Sequence, residues 1–298
     1  LKYVVGISLG SSTRDHVVTV ELKGEKYKIE RIGTNGNMRK MVEKISELDG
    51  KVDAFGLGGM DIYVYAVDRR YTFRDAKRII KAARKTPIVD GSGLKNTLER
   101  RAIEYLAEHT DLFREPRKVL LMSAMDRLGM AQALEKAGAI MTYGDIPYVL
   151  GLPVPLTSLN TLAVIARLIA PLVCQLPFTM IYPTGDKQTV NKPRFPRYFE
   201  QNDIIAGDFH FIHRYMPAEL PGKTIITNTV TLSDVDFLRN SKVKTLITTT
   251  PEMEGRSFGT NVMEALLVCM AGGNQELTEE HYNHLLVELD LKPRILDL

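Results

Sequence analysis

Short, almost unbroken apolar runs alternate with helical patterning through the second part of the chain, and no other feature restricts the fold as tightly. Residues 119–124 read VLLMSA, and 139–145 (AIMTYGD), 203–209 (DIIAGDF), 224–230 (TIITNTV) and 245–251 (TLITTTP) repeat the pattern. Each run is short for a buried helix and too continuous for a strand with one wet face, so each is expected to be a strand covered on both sides. The stretches between them, such as MAQALEKAG at 130–138, carry helical spacing. Strands alternating with helices predict an α/β fold, here a Rossmann-like doubly wound parallel sheet.

The first part is also α/β. Residues 2–9 predict a strand, 16–22 and 26–32 a hairpin around Lys23-Gly24-Glu25, Met38–Leu48 a helix, and 52–58 a buried strand. A basic helix over 74–85, a short strand at 87–89, a turn at Asp90-Gly91-Ser92-Gly93 and a helix from Asn96 to His109 follow. Charged residues and Pro116 at 112–117 suggest a boundary. The expected organisation is an N-terminal α/β substrate domain over 1–112 and a Rossmann-like domain over 113–275 with an apolar helical insertion at about 151–200. A C-terminal helical segment, 276–298, is expected to pack back.

Composition narrows the function classes. With 44% hydrophobic and 25% charged residues over 298 positions, the chain can bury a core, which excludes general disorder. The net charge of +3 reads as spread along the chain and predicts no nucleic-acid partner. Two cysteines, Cys174 and Cys269, and no C-x-x-C predict a reducing, cytoplasmic setting without structural zinc. The strand-like opening KYVVGISLG predicts no signal peptide. Segment 156–182 is apolar, with Arg167 its only charge; Pro171 and Pro177 are expected to break it, so no spanning helix is predicted. Its burial against the protein or a second subunit is expected, and hence a homo-oligomer; a lid or an interfacial helix is the alternative.

Residues 118–145 have the length of the first β-α-β of a dinucleotide-binding domain. Ser123, Ala124, Asp126 and Arg127 form the turn, Gly129 permits close packing of the helix, and Asp145 is placed for ribose hydroxyls. The expected cofactor is NAD or NADP, although Ser123 and Met125-Asp126 stand where the first two fingerprint glycines belong. A domain that has lost its cofactor or binds another ligand is the alternative. Asp208, Asn228, Thr249 and Gly259, at later strand ends, are expected to complete the site. Asp208, His210 and His213 invite a metal reading, but the two histidines share no strand face, so ligand contact is expected there and no metal. In the first domain, DGSGLKN at 90–96 sets Asp90 and Lys95 on either side of a glycine turn, an acid and a base able to relay a proton in alcohol oxidation. Arg256, in the loop after a strand, can hold a carboxylate.

In this order the motifs resemble the shikimate/quinate dehydrogenase family, and the whole chain resembles bacterial proteins labelled quinate 5-dehydrogenase. Gly6-Ile7-Ser8-Leu9-Gly10-Ser11-Ser12 is similar to the family's first-strand loop, Val89-Asp90-Gly91-Ser92-Gly93 to its catalytic-aspartate turn, 118–145 to its cofactor unit, and Gly259–Ala265 to its late substrate-contacting helix. The resemblance implies that Ser11, Ser12, Asn96, Arg256 and Glu264 meet a small hydroxylated carboxylate. It further implies that Asp90 works with Lys95 or Lys77, because the family's lysine-bearing segment is absent. The implied activity is NAD(P)-dependent alcohol oxidation on a small-molecule substrate. A ligand-sensing or partner-binding protein on the same scaffold, or a lyase or transferase, is the alternative.

Overall fold

Alternating large and small side chains decide how the first sheet is covered. In β1 (Lys2–Ser8) and the residue beyond it, Val5, Ile7 and Leu9 point one way, while Gly6 and Ser8 point the other; Phe55-Gly56-Leu57-Gly58 repeats this further on. The computed structural model describes residues 1–66, 69–176, 191–250, 252–253, 256–273 and 275–298. Its contacts divide the chain into two units. The first comprises Leu1–Leu94, Leu168–Gln188 and Gly259–Glu288; the second comprises Lys95–Arg167, Thr189–Phe258 and Leu289–Leu298.

After β1 come β2 (His16–Leu22), β3 (Glu25–Gly33), α1 (Met38–Leu48), β4 (Ala54–Gly58), β5 (Tyr63–Ala66), β6 (Arg69–Thr72), α2 (Ala76–Ile80) and β7 (Ile88–Val89). The main sheet has the order β2-β3-β1-β4-β7 and is parallel except for β2, which pairs antiparallel with β3. Lys23 and Gly24, with φ of 52° and 76°, make the two-residue turn of that hairpin. The large-residue face carries the core: Val5, Ile7, Leu9, Phe55 and Leu57 meet Met41 and Ile45 of α1 and Phe73, Ala76 and Ile79 around α2.

Two expectations change here. The helix expected over 74–85 stops at Ile80, because the Asp49 carboxylate takes the N–H groups of Arg84, Lys85 and Thr86 into a loop that leads to Pro87. The helix expected from Asn96 begins at Ser92, whose N–H donates to Asp90, so the glycine turn is the helix's own first turn.

That helix is α3 (Ser92–His109). There follow β8 (Lys118–Leu121), α4 (Leu128–Lys136), β9 (Ile140–Tyr143), a π-helical turn over Asp145–Leu150, α5 (Leu159–Val173), α6 (Pro196–Gln201), β10 (Ile204–Ala206), α7 (Phe209–Tyr215), β11 (Thr224–Thr227), α8 (Leu232–Asn240), β12 (Thr245–Thr248) and the short pair β13 (Glu252–Met253) and β14 (Arg256–Ser257). α9 (Thr260–Met270) and α10 (Glu279–Glu288) belong to the first unit, and β15 (Arg294–Asp297) to the second. The second sheet runs β15-β12-β11-β10-β8-β9 and is parallel except for β15, which pairs antiparallel with β12. Both faces are covered, as the apolar runs require: Val119 and Leu121 lie in one core with Leu134 and Met130, and Leu120 and Met122 in another with Phe199, Phe209 and Leu246. The run at 203–209 is a strand only to Ala206, and Asp208 caps α7 by accepting from the N–H of His210 at 2.9 Å and of Phe211 at 3.4 Å.

The apolar segment also departs from expectation. α5 continues through Pro171, which sits two residues from the helix end, so only the last turn lies beyond the missing N–H. Leu168 and Leu172 are 70% and 72% exposed within the chain, not buried against it. Pro177 lies outside the described residues. Among the described residues, no helix is long and apolar enough to cross a membrane.

Candidate functional site

The order of the second sheet turns at β8. From β8 the chain moves to β9, then crosses back to β10 and continues outward through β11 and β12. At such a reversal the loops leaving neighbouring strands diverge, and ligands bind in the crevice outside the strand carboxyl ends. The residues there are 123–127 after β8, Gly207-Asp208 after β10, Asn228 after β11 and Thr249 after β12.

Arg127 is the centre of this region, with its side chain 2% exposed. Its guanidinium pairs with Glu99 of α3, which is fully buried, and lies 3.6 Å from Asp208 and 3.9 Å from Asp126. Lys95 Nζ is 3.5 Å from Asp126, and the Asn228 amide donates to Asp208 at 2.9 Å. Asn96 accepts from the N–H of Gly129 at 3.0 Å. A Cβ on Gly129 would stand 2.4 Å from the Asn96 carbonyl oxygen, so this glycine serves the approach of α4 to α3. Glu99 was not anticipated from the sequence. Its spacing from Lys95 and Asn96 on α3 puts all three on one helix face, and that spacing was the available signal.

Asp145 does not point outward for a ribose. Its carboxylate turns back onto the turn after β8: the Ala124 N–H donates to both oxygens at 3.1 and 3.0 Å, the Met125 N–H at 3.0 Å, and the Ser123 hydroxyl at 3.3 Å. In a dinucleotide site the N–H groups of this turn face the pyrophosphate. Here a carboxylate of the same chain occupies two of them, and Asp126 and Asp208 add negative charge nearby. The residues present do not fit a pyrophosphate.

Burial raises the Asp145 carboxyl to about 6 despite the Ala124 and Met125 amides. Burial likewise lifts Glu99 to about 7 against the pull of Arg127 and Lys95. Asp208 goes the other way: desolvation is outweighed by His210, Arg127 and the Asn228 amide, so it stays ionised. Three buried oxygens here have no hydrogen-bond partner among the described residues: Asp126 Oδ1, Glu99 Oε2 and Thr249 Oγ1. The two carboxylate oxygens can only accept while ionised.

In the first unit, Asp90 and Glu264 form a second acidic group. Asp90 Oδ1 accepts from the Ser92 N–H at 2.9 Å and hydroxyl at 2.5 Å, and Oδ2 from the N–H groups of Ile62 and Tyr63. Glu264 accepts from the Gly91 N–H and the Tyr282 hydroxyl, both at 2.6 Å. Burial first, and Asp90 second, push Glu264 up to about 8. Gly91 (φ 93°) leaves room for the backbone of Thr260 and Asn261, and Gly93 for the side chains of Glu264 and Glu276, so the spaces these glycines leave are filled by protein.

The remaining candidates are scattered. Ser11 bonds to Thr13, and Ser12 exchanges two hydrogen bonds with Asn35. Lys77 is exposed on α2, and Gly259 precedes α9 in the first unit. The Arg256 side chain lies outside the described residues. His213 sits between the rings of Phe209 and Phe237, and burial lowers its pKa. His284 is 77% exposed and 3.7 Å from Glu288. Among the described residues no group of three or more His, Cys, Asp or Glu side chains is arranged to hold a metal.

Two family models match in tandem: Domain of unknown function (DUF8753) over residues 3–90 and Domain of unknown function (DUF8754) over residues 93–298. No curated protein matches. Among solved structures, the chain is similar to an ABC transporter periplasmic solute binding protein from Actinobacillus succinogenes 130z with bound D-allose, at 10% identity over 100% of this chain and 98% of that one, with a TM-score of 0.38. It is also similar to the NAD-dependent malic enzyme of Thermotoga maritima (12% identity, 92% and 73% covered, TM-score 0.35) and to the malic enzyme of Entamoeba histolytica (10%, 94% and 60%, 0.39). These likenesses assign no ligand to this chain.

Proposed function

Since the chain belongs to the family described as Domain of unknown function (DUF8754), a description without an activity, we propose a function from the site itself. The protein binds a small molecule at the turn of the second sheet, between the carboxyl ends of β8 and β10. The ligand is a neutral or cationic hydrogen-bond donor, such as a polyol or an amine, and not a pyrophosphate.

One observation carries the reading: Asp145 takes the N–H groups of Ala124 and Met125. An anionic ligand would have to expel that carboxylate and then compete with Asp126 and Asp208 for Lys95 and Arg127. The partnerless acceptor Asp126 Oδ1 instead suits a ligand that brings N–H or O–H groups, because a buried acceptor gains most when a donor reaches it.

The second reading is an NAD(P)-dependent oxidoreductase acting on a small hydroxylated carboxylate, of the shikimate/quinate dehydrogenase kind. The strand order β9-β8-β10-β11-β12 with α4 at its turn favours it, since this order supports nucleotide sites in doubly wound folds.

Titration of the purified chain with NADH and NADPH, followed by nicotinamide fluorescence, separates the two. The expected result is no saturable binding up to about 1 mM, which corresponds to less than ~4 kcal/mol of affinity. Mass spectrometry of the denatured protein should release a neutral or basic small molecule. Saturable micromolar binding of either nucleotide would overturn the first reading in favour of the second.

A further inference from the structure

Residues 74–85, RDAKRIIKAARK, contain six cations and a single acid, Asp75, a net of +5 in a chain of net +3. Everything else is therefore net −2, and the charge is concentrated, contrary to the expectation that it is spread. Arg74, Lys77, Arg78 and Lys81 recur at i, i+3, i+4 and i+7, the spacing of one helix face, and all are exposed. Phe73, Ala76 and Ile79 take the opposite face and are buried. Arg84 and Lys85 carry the exposed stripe beyond α2. On neighbouring α1 the charges are balanced: Arg39 pairs with Glu43 at 2.9 Å and Lys44 with Glu47 at 2.7 Å. Among the described residues no acid pairs with Lys77, Arg78, Lys81, Arg84 or Lys85, and Arg74 has Asp75 at 3.8 Å. Asp49, which lies against the end of the stripe, spends its carboxylate on backbone N–H groups.

The end of α5 lies against the start of this stripe. The Arg74 N–H donates to the Cys174 carbonyl oxygen at 3.0 Å, and the Cys174 side chain enters the same core as Phe73, Ala76 and Ile79. Because those faces turn inward together, the outward faces of the two elements adjoin on one surface of the first unit. At this end of α5, Ala170 and Cys174 are four apart and buried. Leu168, Leu172 and Leu176 recur at the same interval and are 70%, 72% and 42% exposed. The outer stripe of a surface helix ordinarily carries polar side chains. Here three leucines in water stand next to six cations, and each group is unfavourable as it is left: the leucines keep apolar surface wet, and the cations repel one another.

We propose that this surface docks on an anionic phospholipid bilayer, with Leu168, Leu172 and Leu176 entering the boundary between headgroups and acyl chains and the cations of 74–85 meeting the lipid phosphates. Charge complementarity calls for a polyanion, and the leucines choose among polyanions. A nucleic-acid backbone offers phosphates but no apolar layer, so docking there would leave the leucines wet. A second copy meeting this one leucine to leucine would cover them, but it would also bring two stripes of net +5 together. A bilayer of anionic lipid supplies hydrocarbon to the leucines and negative charge to the cations at the same depth of contact. Shallow apolar insertion alone binds a bilayer marginally, and a basic stripe alone is released by salt; stable peripheral binding takes the two together.

The test is co-sedimentation of the full chain with sucrose-loaded vesicles, either pure phosphatidylcholine or about 70% phosphatidylcholine with about 30% phosphatidylserine, at about 50 and about 300 mM salt. The chain should sediment with the phosphatidylserine vesicles at the lower salt, far less at the higher salt, and not with pure phosphatidylcholine. Replacing Arg78, Lys81 and Lys85 together by Gln should weaken that binding about 100-fold, because each cation near an anionic leaflet contributes roughly fivefold. Leu168→Ser with Leu172→Ser leaves the charge unchanged and should still weaken it about 10-fold or more, since that apolar area no longer leaves water. The matched control is Lys136→Gln, Arg239→Gln and Lys242→Gln, an equal charge change at exposed cations of the second unit that already have acidic partners; it should bind like the unmodified chain. Every substituted side chain is exposed, so melting curves should be unchanged. No sedimentation with phosphatidylserine vesicles at the lower salt overturns the proposal. So does an equal loss in the α2 variant and the control, which would mean that total charge alone matters. Full binding by the leucine variant would also overturn it, in favour of a soluble polyanion such as a nucleic-acid duplex. A lipid-free dimer in size-exclusion chromatography that the leucine variant dissociates would overturn it in favour of a second copy.

Discussion

Glu264 and Asp145 are both carboxylates withdrawn from water, and they differ in what surrounds the charge. Asp145 is met by two backbone N–H groups and a hydroxyl, and burial moves it only to about 6. Glu264 has two donors but faces Asp90, so ionising it places a second negative charge in the same buried group, and it rises to about 8. In the folded state the Glu264 proton is held more tightly than in the unfolded chain, where the ordinary value is 4.5. Its contribution to stability is therefore complete below the unfolded value and disappears as pH rises through about 8. Asp145 follows the same sign in an earlier window, ending near 6. Glu264→Gln retains an acceptor for the Gly91 N–H and supplies a donor for Tyr282 Oη. The variant should melt at least ~3 °C above the unmodified protein at pH 9 and no higher than it at pH 5. Parallel melting-temperature curves across that range would show that Glu264 does not titrate there.

At the scale of elements, the seat of α9 on the first sheet depends on residues without side chains. A Cβ on Gly6 would lie 2.5 Å from Val262 Cγ2, and one on Gly56 would lie 2.5 Å from the Asn261 carbonyl oxygen. Gly56→Ala must therefore push backbone against backbone and should destabilise the protein by about 1–3 kcal/mol in denaturant unfolding. Leu172→Asp on α5 should be nearly silent in the same assay, within about 0.5 kcal/mol, because the side chain is already in water. A large loss would mean that something covers this face in solution. Elements whose pattern is local were legible beforehand: the β2–β3 hairpin, α1 to the residue, and the run of parallel strands. Those decided by a distant partner were not. β15 has only two adjacent apolar residues of its own, Ile295 and Leu296, and becomes a strand because β12 offers an edge. α2 is shortened by a carboxylate that stands on another element, Asp49. The same holds for the site. The turn at 123–129 was visible as a nucleotide-like loop, but nothing in the spacing told that Asp145, some 20 residues on, folds back to fill it.

For the molecule as a whole, connectivity matters as much as packing. Each unit is built from three stretches of chain, and the first includes α9 from far along the sequence. A fragment comprising residues 1–94 keeps every strand of the first sheet but lacks the helix that lies over Gly6 and Gly56. It should show no cooperative thermal transition by circular dichroism; a sharp melt would mean that the sheet needs no cover on that side. The arrangement also has a clock in it. The 164 residues between Leu94 and Gly259 must be synthesised before α9 exists, and at ribosomal speed that takes roughly 10–30 s. Throughout that interval the glycine-lined side of β1 and β4 is bare on a nascent chain. It is a surface that holding chaperones would be expected to occupy, and the emergence of α9 releases it.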